Sequence, residues 1–237
     1  MNKYIIANLK MYQMPDMISN YLVSLKEFNS EKLILCPSSV YIPYYLEKGY
    51  HVGIQNIYFK DVGPYTGEIS PLQAKQLGIS YVIIGHNERK LFGETDHHIN
   101  QKVTAALEND LNIILCIGET LDERSNKETI LKRQIHSALK NIPQEKIKNI
   151  LFAYEPIWAI GTGIIPDIEE IETMIHYIQT VCHEFSSDPI KIIYGGSVDE
   201  KNISTLVQMK NIAGFLIGSA AVNPDKLIKI IEVTREK

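Results

Sequence analysis

The sequence predicts an α/β fold of the (β/α)8 barrel class, a single domain spanning residues 1–237. Three observations carry this. Short apolar runs recur along the chain and are continuously apolar rather than alternating, the mark of strands buried on both faces of a parallel sheet. Longer amphipathic stretches separate them, as crossover helices must. Eight such strand–helix units fill 237 residues, the arithmetic of a small eight-fold barrel. A doubly wound open sheet is the runner-up, lowered by the lack of a G-x-G-x-x-G after the first strand.

The strand candidates are Tyr4–Ala7, Lys32–Leu35, His51–Ile54, Tyr81–Ile84, Ile113–Ile117, Ile150–Ala153, Lys191–Tyr194 and Gly214–Ile217. The helical stretches are Met17–Phe28, Val40–Leu46, Pro71–Leu77, His97–Asn109, Lys127–Leu139, Ile168–His183, Glu200–Met209 and Asp225–Val233. Ser70, Asp96 and Asp167 are the expected N-caps, because a short side-chain oxygen there can accept an orphan amide. Glu169 and Glu170 in the first turn after Asp167 favour the helix dipole.

Composition sets bounds. Hydrophobic residues make up 45% and charged residues 22%, enough for a sizeable core. Net charge is -4, without a long basic block, which weighs against nucleic acid as a partner. Cys36, Cys116 and Cys182 are far apart and form no C-x-x-C, so they read as reduced thiols in a cytoplasmic protein. The N-terminus lacks the apolar core of a signal peptide, and no apolar run reaches membrane-span length. No His/Asp/Glu cluster has metal-ligand spacing, so no metal site is expected.

In a parallel barrel the chemistry lies just beyond the carboxyl ends of the strands. Strand six leads into Ala153-Tyr154-Glu155-Pro156-Ile157-Trp158-Ala159-Ile160-Gly161-Thr162-Gly163: a carboxylate, a proline that biases it to extended geometry, and a glycine-bearing tip. This reads as an acid or base beside a hinged flap. Strand one ends at Asn8-Leu9-Lys10, where Lys10 is a candidate anion or carbonyl contact. Strand four ends at Gly85-His86-Asn87-Glu88-Arg89-Lys90; if Asn87–Lys90 opens a helical turn, its amides favour a neutral imidazole able to donate a hydrogen bond. Glu88 and Arg89 read either as a buried ion pair or as a solvated turn. Glu119, after strand five, either orients a neighbour or caps a turn. The loops Gly195-Gly196-Ser197 and Gly218-Ser219 follow strands seven and eight, where backbone amides can cradle a phosphate.

These motifs, in order and at matching spacing from residue 2 to about 222, resemble the triosephosphate isomerase family. The resemblance implies a TIM barrel that interconverts dihydroxyacetone phosphate and D-glyceraldehyde 3-phosphate through an enediolate, in glycolysis and gluconeogenesis, without a cofactor. The roles it implies are the family's own pair of glutamate base and neutral histidine, carried over position by position. Glu155 takes the base, His86 the electrophile, and Lys10 stabilises the enediolate oxygen beside Asn8. Gly161, Ser197, Gly218 and Ser219 hold the phosphate through backbone amides. The stretch Gly63-Pro64-Tyr65-Thr66-Gly67-Glu68-Ile69-Ser70 resembles the loop that enters the neighbouring subunit, which implies a homodimer with Thr66 near the partner's site and Gln55-Asn56 near the interface.

The chain departs from the family pattern in several places. Leu9 replaces a tryptophan, Asn87 a serine, Pro64 an alanine and Ser219 a glycine, and the stretch from Arg89 to Glu94 is one residue short. None removes a group that does the chemistry. Two other readings remain open on the residues alone: a different phosphosugar enzyme on the same barrel, and a phosphate-binding protein without catalysis.

Overall fold

The computed structural model describes residues 3–161 and 166–235; Thr162 and Gly163 of the expected flap lie outside them. Eight parallel strands close on themselves in chain order: β1 (Tyr4–Asn8), β2 (Leu33–Cys36), β3 (His51–Ile54), β4 (Tyr81–Ile84), β5 (Asn112–Ile117), β6 (Ile150–Tyr154), β7 (Lys191–Tyr194) and β8 (Gly214–Ile217). The seam is β8 against β1, with Ile5 opposite Phe215 and Ala7 opposite Ile217. The predicted barrel is therefore present, each strand within about a residue of its expected bounds.

Two apolar layers explain why the strands are apolar throughout. Successive side chains point to opposite faces of a strand. Ile6, Ile34, Ile83, Ile114, Leu151, Ile193 and Leu216 pack with Cys36 and Cys116 inside the barrel. Their neighbours Ile5, Leu35, Val82, Leu115, Phe152 and Phe215 join the outer core beneath the helices. Each such side chain contributes about 1.5–3 kcal/mol on leaving water.

The helices are α1 (Pro15–Leu25), α2 (Ile42–Glu47), α3 (Pro71–Gln76), α4 (Asn87–Leu91), α5 (Asp96–Glu108), α6 (Lys127–Ala138), α7 (Ile168–Cys182), α8 (Ile203–Leu206), α9 (Ser219–Val222) and α10 (Pro224–Arg235). Helix α7 buries Ile171, Met174, Ile175, Ile178, Val181 and Cys182, a stripe at spacings of three and four. Ser70 caps α3 by accepting from Gln73 N at 3.1 Å, and Asp167 caps α7 by accepting from Glu169 N at 3.3 Å.

Two expectations need correction. Thr95, not Asp96, caps α5: its hydroxyl accepts from His98 N at 3.3 Å, while His98 Nδ1 accepts from Thr95 N, and Asp96 becomes the first helical residue. The helix expected over Glu200–Met209 shrinks to α8, because the Asp199 carboxylate accepts from the amides of Lys201 and Asn202 and holds that segment in a turn.

Candidate active site

At the carboxyl ends of the strands lies a cavity of about 440 Å³. All eight residues expected from the sequence line it: Asn8, Lys10, His86, Glu155, Gly161, Ser197, Gly218 and Ser219. Barrel closure brings them together from β1, β4, β6, β7 and β8.

Lys10 leaves β1 with φ 49°, in the left-handed region that costs a non-glycine residue about 1–2 kcal/mol. Neighbouring groups hold it there. Asn8 Oδ1 accepts from Lys10 N at 3.2 Å, and Gln55 Nε2 donates to Lys10 O at 2.8 Å and to Cys36 O at 2.9 Å. The Lys10 ammonium meets Glu88 Oε1 at 2.5 Å. Glu88 thus pairs across the barrel mouth with Lys10 rather than with its neighbour Arg89.

His86 is buried and precedes α4, the helical turn expected after β4. Its Nδ1 accepts from Glu88 N at 3.3 Å, so the ring proton resides on Nε2. Nε2 faces Glu155 Oε1 across 3.6 Å. Glu155 continues β6, donating its N–H to Ile117 O at 2.8 Å. Gly118 makes that approach possible, because a Cβ there would meet Glu155 O at 1.7 Å.

Burial raises the Glu155 carboxyl above its ordinary value. The electrostatic effect of nearby His86, a hydrogen bond from the Cys116 thiol, Lys90 and Lys10 oppose the rise. Burial also lifts Cys116 well above the usual thiol range, with the Glu155 charge adding to it, so Cys116 stays a donor.

Glu119 resolves in favour of orienting a neighbour. Fully buried after β5, it accepts from Trp158 Nε1 at 2.9 Å and Tyr154 OH at 3.3 Å, and its carbonyl accepts from Ile157 N. It thereby anchors the base of the flap. Burial raises its carboxyl, and the Trp158 hydrogen bond opposes this most. Arg124 stacks 4.2 Å over the Trp158 ring. Ser197 Oγ donates to Ala159 O at 2.8 Å and ties the flap to the loop after β7.

Sequence reasoning passed over Gln134, which exchanges two hydrogen bonds with Gly118, each 2.9 Å. Its signal was a polar residue inside the apolar stripe of α6. Tyr12 also lines the cavity and carried no motif. Thr66 is exposed and does not line the cavity of its own chain, while Asn56 Oδ1 accepts from Lys102 at 2.7 Å. Among the described residues, no group of three or more His, Cys, Asp or Glu side chains could hold a metal ion, and no helix is long and apolar enough to cross a membrane.

The family model described as triosephosphate isomerase matches residues 3–234. The chain belongs to the triosephosphate isomerase family. It is 37% identical to the triosephosphate isomerase of Clostridium tetani, covering 98% of this chain and 96% of that one. It is 41% identical to that of Clostridium botulinum, over 84% and 85% of the two chains, and 36% identical to that of Alkaliphilus oremlandii, over 98% and 99%. The family match therefore spans nearly all of the chain, residues 3–234.

Proposed function

We propose that Glu155, His86 and Lys10 interconvert dihydroxyacetone phosphate and D-glyceraldehyde 3-phosphate, serving glycolysis and gluconeogenesis. The carrying observation is Glu155 facing His86 Nε2 at 3.6 Å on one wall of a cavity whose other wall is the pair of glycine loops after β7 and β8. The carboxylate takes a proton from one substrate carbon, leaving an enediolate, and returns it to the adjacent carbon. The bonding pair stays on the substrate, so no electron acceptor is required. His86 Nε2–H hydrogen-bonds the oxygen on which charge develops, and the Lys10 ammonium and Asn8 stabilise it from the β1 side.

The phosphate occupies the far wall. Amides of Gly161, Ser197, Gly218 and Ser219 hold it, with little side-chain charge. The flap from Pro156 closes over the bound substrate, excluding water and protecting the enediolate from losing phosphate. Purified protein given glyceraldehyde 3-phosphate should produce dihydroxyacetone phosphate without added cofactor. Activity no higher than that of Glu155→Ala would refute the reading.

The enzyme works as a homodimer through the Gly63–Ser70 loop, with Thr66 of one protomer steadying the partner's site. Exposed apolar side chains on the loops after β1 and β3 and on α2 support this: Met11 at 86%, Val62 at 74% and Tyr44 at 55%. Sedimentation should give twice 26.9 kDa, and Thr66→Arg should lower both the mass and kcat. A fully active monomer would overturn it. The three cysteines, all free and buried, support placing the enzyme in the reducing cytoplasm.

A further inference from the structure

One amide proton at the mouth of the barrel has two acceptors. The N–H of Glu88 lies 2.8 Å from Asn87 Oδ1 and 3.3 Å from His86 Nδ1. We propose that Asn87 is a positioning residue for His86: its side-chain carbonyl takes the larger share of the Glu88 amide proton and so sets how strongly the imidazole is polarised. The inference rests on the reading of His86 as the electrophile.

The geometry supports it in three ways. First, a shared N–H divides its bond, and the shorter contact takes more of it. A hydrogen bond donated to Nδ1 draws electron density from the ring and sharpens Nε2–H as a donor, so diverting part of it to Asn87 weakens that effect. Second, Asn87 does not line the cavity, so it touches no substrate and acts only through its neighbours. Third, with its carbonyl engaged on its own helix, Asn87 makes no hydrogen bond to Glu155 among the described residues. The carboxylate is left facing His86 and the Cys116 thiol. The other charges around the ring are already engaged: Glu88 Oε1 is paired with Lys10, and Glu88 Oε2 is 3.7 Å from Nδ1, where two acceptors meet without a proton.

The test is the 15N resonance of His86 Nδ1 in full-length protein labelled at histidine, at a pH where the ring is neutral, assigned with His86→Gln. Asn87→Ala releases the whole amide bond to Nδ1 and should move the resonance upfield. Asn87→Asp keeps the Oδ1 acceptor and strengthens it, and should move the resonance downfield of wild type. kcat should follow the same order, Ala above wild type above Asp, within about fivefold, the weight of one neutral hydrogen bond. KM should stay at the wild-type value, since Asn87 is off the cavity. A structural role alone would leave Nδ1 unmoved in both variants and overturn the proposal. Full activity in His86→Gln would instead overturn the reading of His86.

Discussion

Gly195 lies directly behind the Glu155 carboxylate. Its position makes Gly195→Ala a direct probe of how finely Glu155 is placed. A Cβ at Gly195 would be 2.8 Å from Glu155 Cγ and 3.2 Å from Oε1. Carbon atoms pack at about 3.5–4.0 Å, so the glutamate side chain must retreat by roughly 0.7–1 Å. The backbone at Gly195 is not left-handed, and its N–H to Tyr154 O, 2.8 Å, is available to alanine. The fold should therefore survive, with overpacking of about 1–3 kcal/mol partly offset by the lower entropy of the unfolded chain. A displacement of about 1 Å at a reacting group costs on the order of 10²-fold. That corresponds to about 2.7 kcal/mol of barrier. Initial rates in both directions should show the loss in kcat, with KM nearly unchanged because the amides proposed to hold the phosphate remain. Gly196→Ala is the control. Its Cβ would meet Tyr194 OH at 2.2 Å and leave Glu155 alone, so its cost should appear in stability and KM. A wild-type kcat in Gly195→Ala, with a cooperative thermal transition, would refute the claim that Glu155 is held to within an ångström.

The other predictions concern charge. The native value of Glu155 is raised above the ordinary 4.5, so folding favours its proton. That contribution is fully present below 4.5 and is lost as pH rises through the native value, where the buried carboxylate must ionise. Glu155→Gln should therefore be inactive yet more stable than wild type at neutral pH, with the gap closing in acid; equal melting temperatures at neutral pH would count against it. For the same reason kcat/KM should fall on acidification at a pH above the ordinary glutamate range, since Glu155, as the proposed base, must be ionised in the free enzyme. Lys90→Met, which removes a cation that holds Glu155 down, should move that acid limb to higher pH; an unmoved limb would remove Lys90 from the account. Lys102 pairs with the Glu94 carboxylate, the two side chains only 7% and 3% exposed, and also reaches Asn56. Lys102→Met strands a buried charge and should cost roughly 3–5 kcal/mol by urea denaturation. A loss under 1 kcal/mol would mean that Glu94 finds water or another partner.

What the sequence displays is whatever a short window contains. The buried strands are visible because each apolar run is local, and Glu155 stands out because a proline, a tryptophan and glycines follow it within eight residues. Pairings set only by barrel closure are invisible. Lys10 and Glu88 are 78 residues apart and meet at 2.5 Å because β1 and β4 open onto the same mouth. Gln134 finds Gly118 only when α6 packs over β5. Local chemistry can also mislead: Asp96 and Thr95 are both good caps, and the adjacent threonine prevails because His98 returns its hydrogen bond. Asn87 belongs to both kinds. Its identity is plain in the sequence, but its effect depends on a half-ångström difference between two acceptors of one proton. Three sequence-adjacent residues, His86, Asn87 and Glu88, thus join the ring that faces Glu155, the carbonyl that competes for its hydrogen bond, and the carboxylate that pairs with Lys10. A substitution at any one of them should register at the other two, and this coupling is why the middle residue can tune the site without touching substrate.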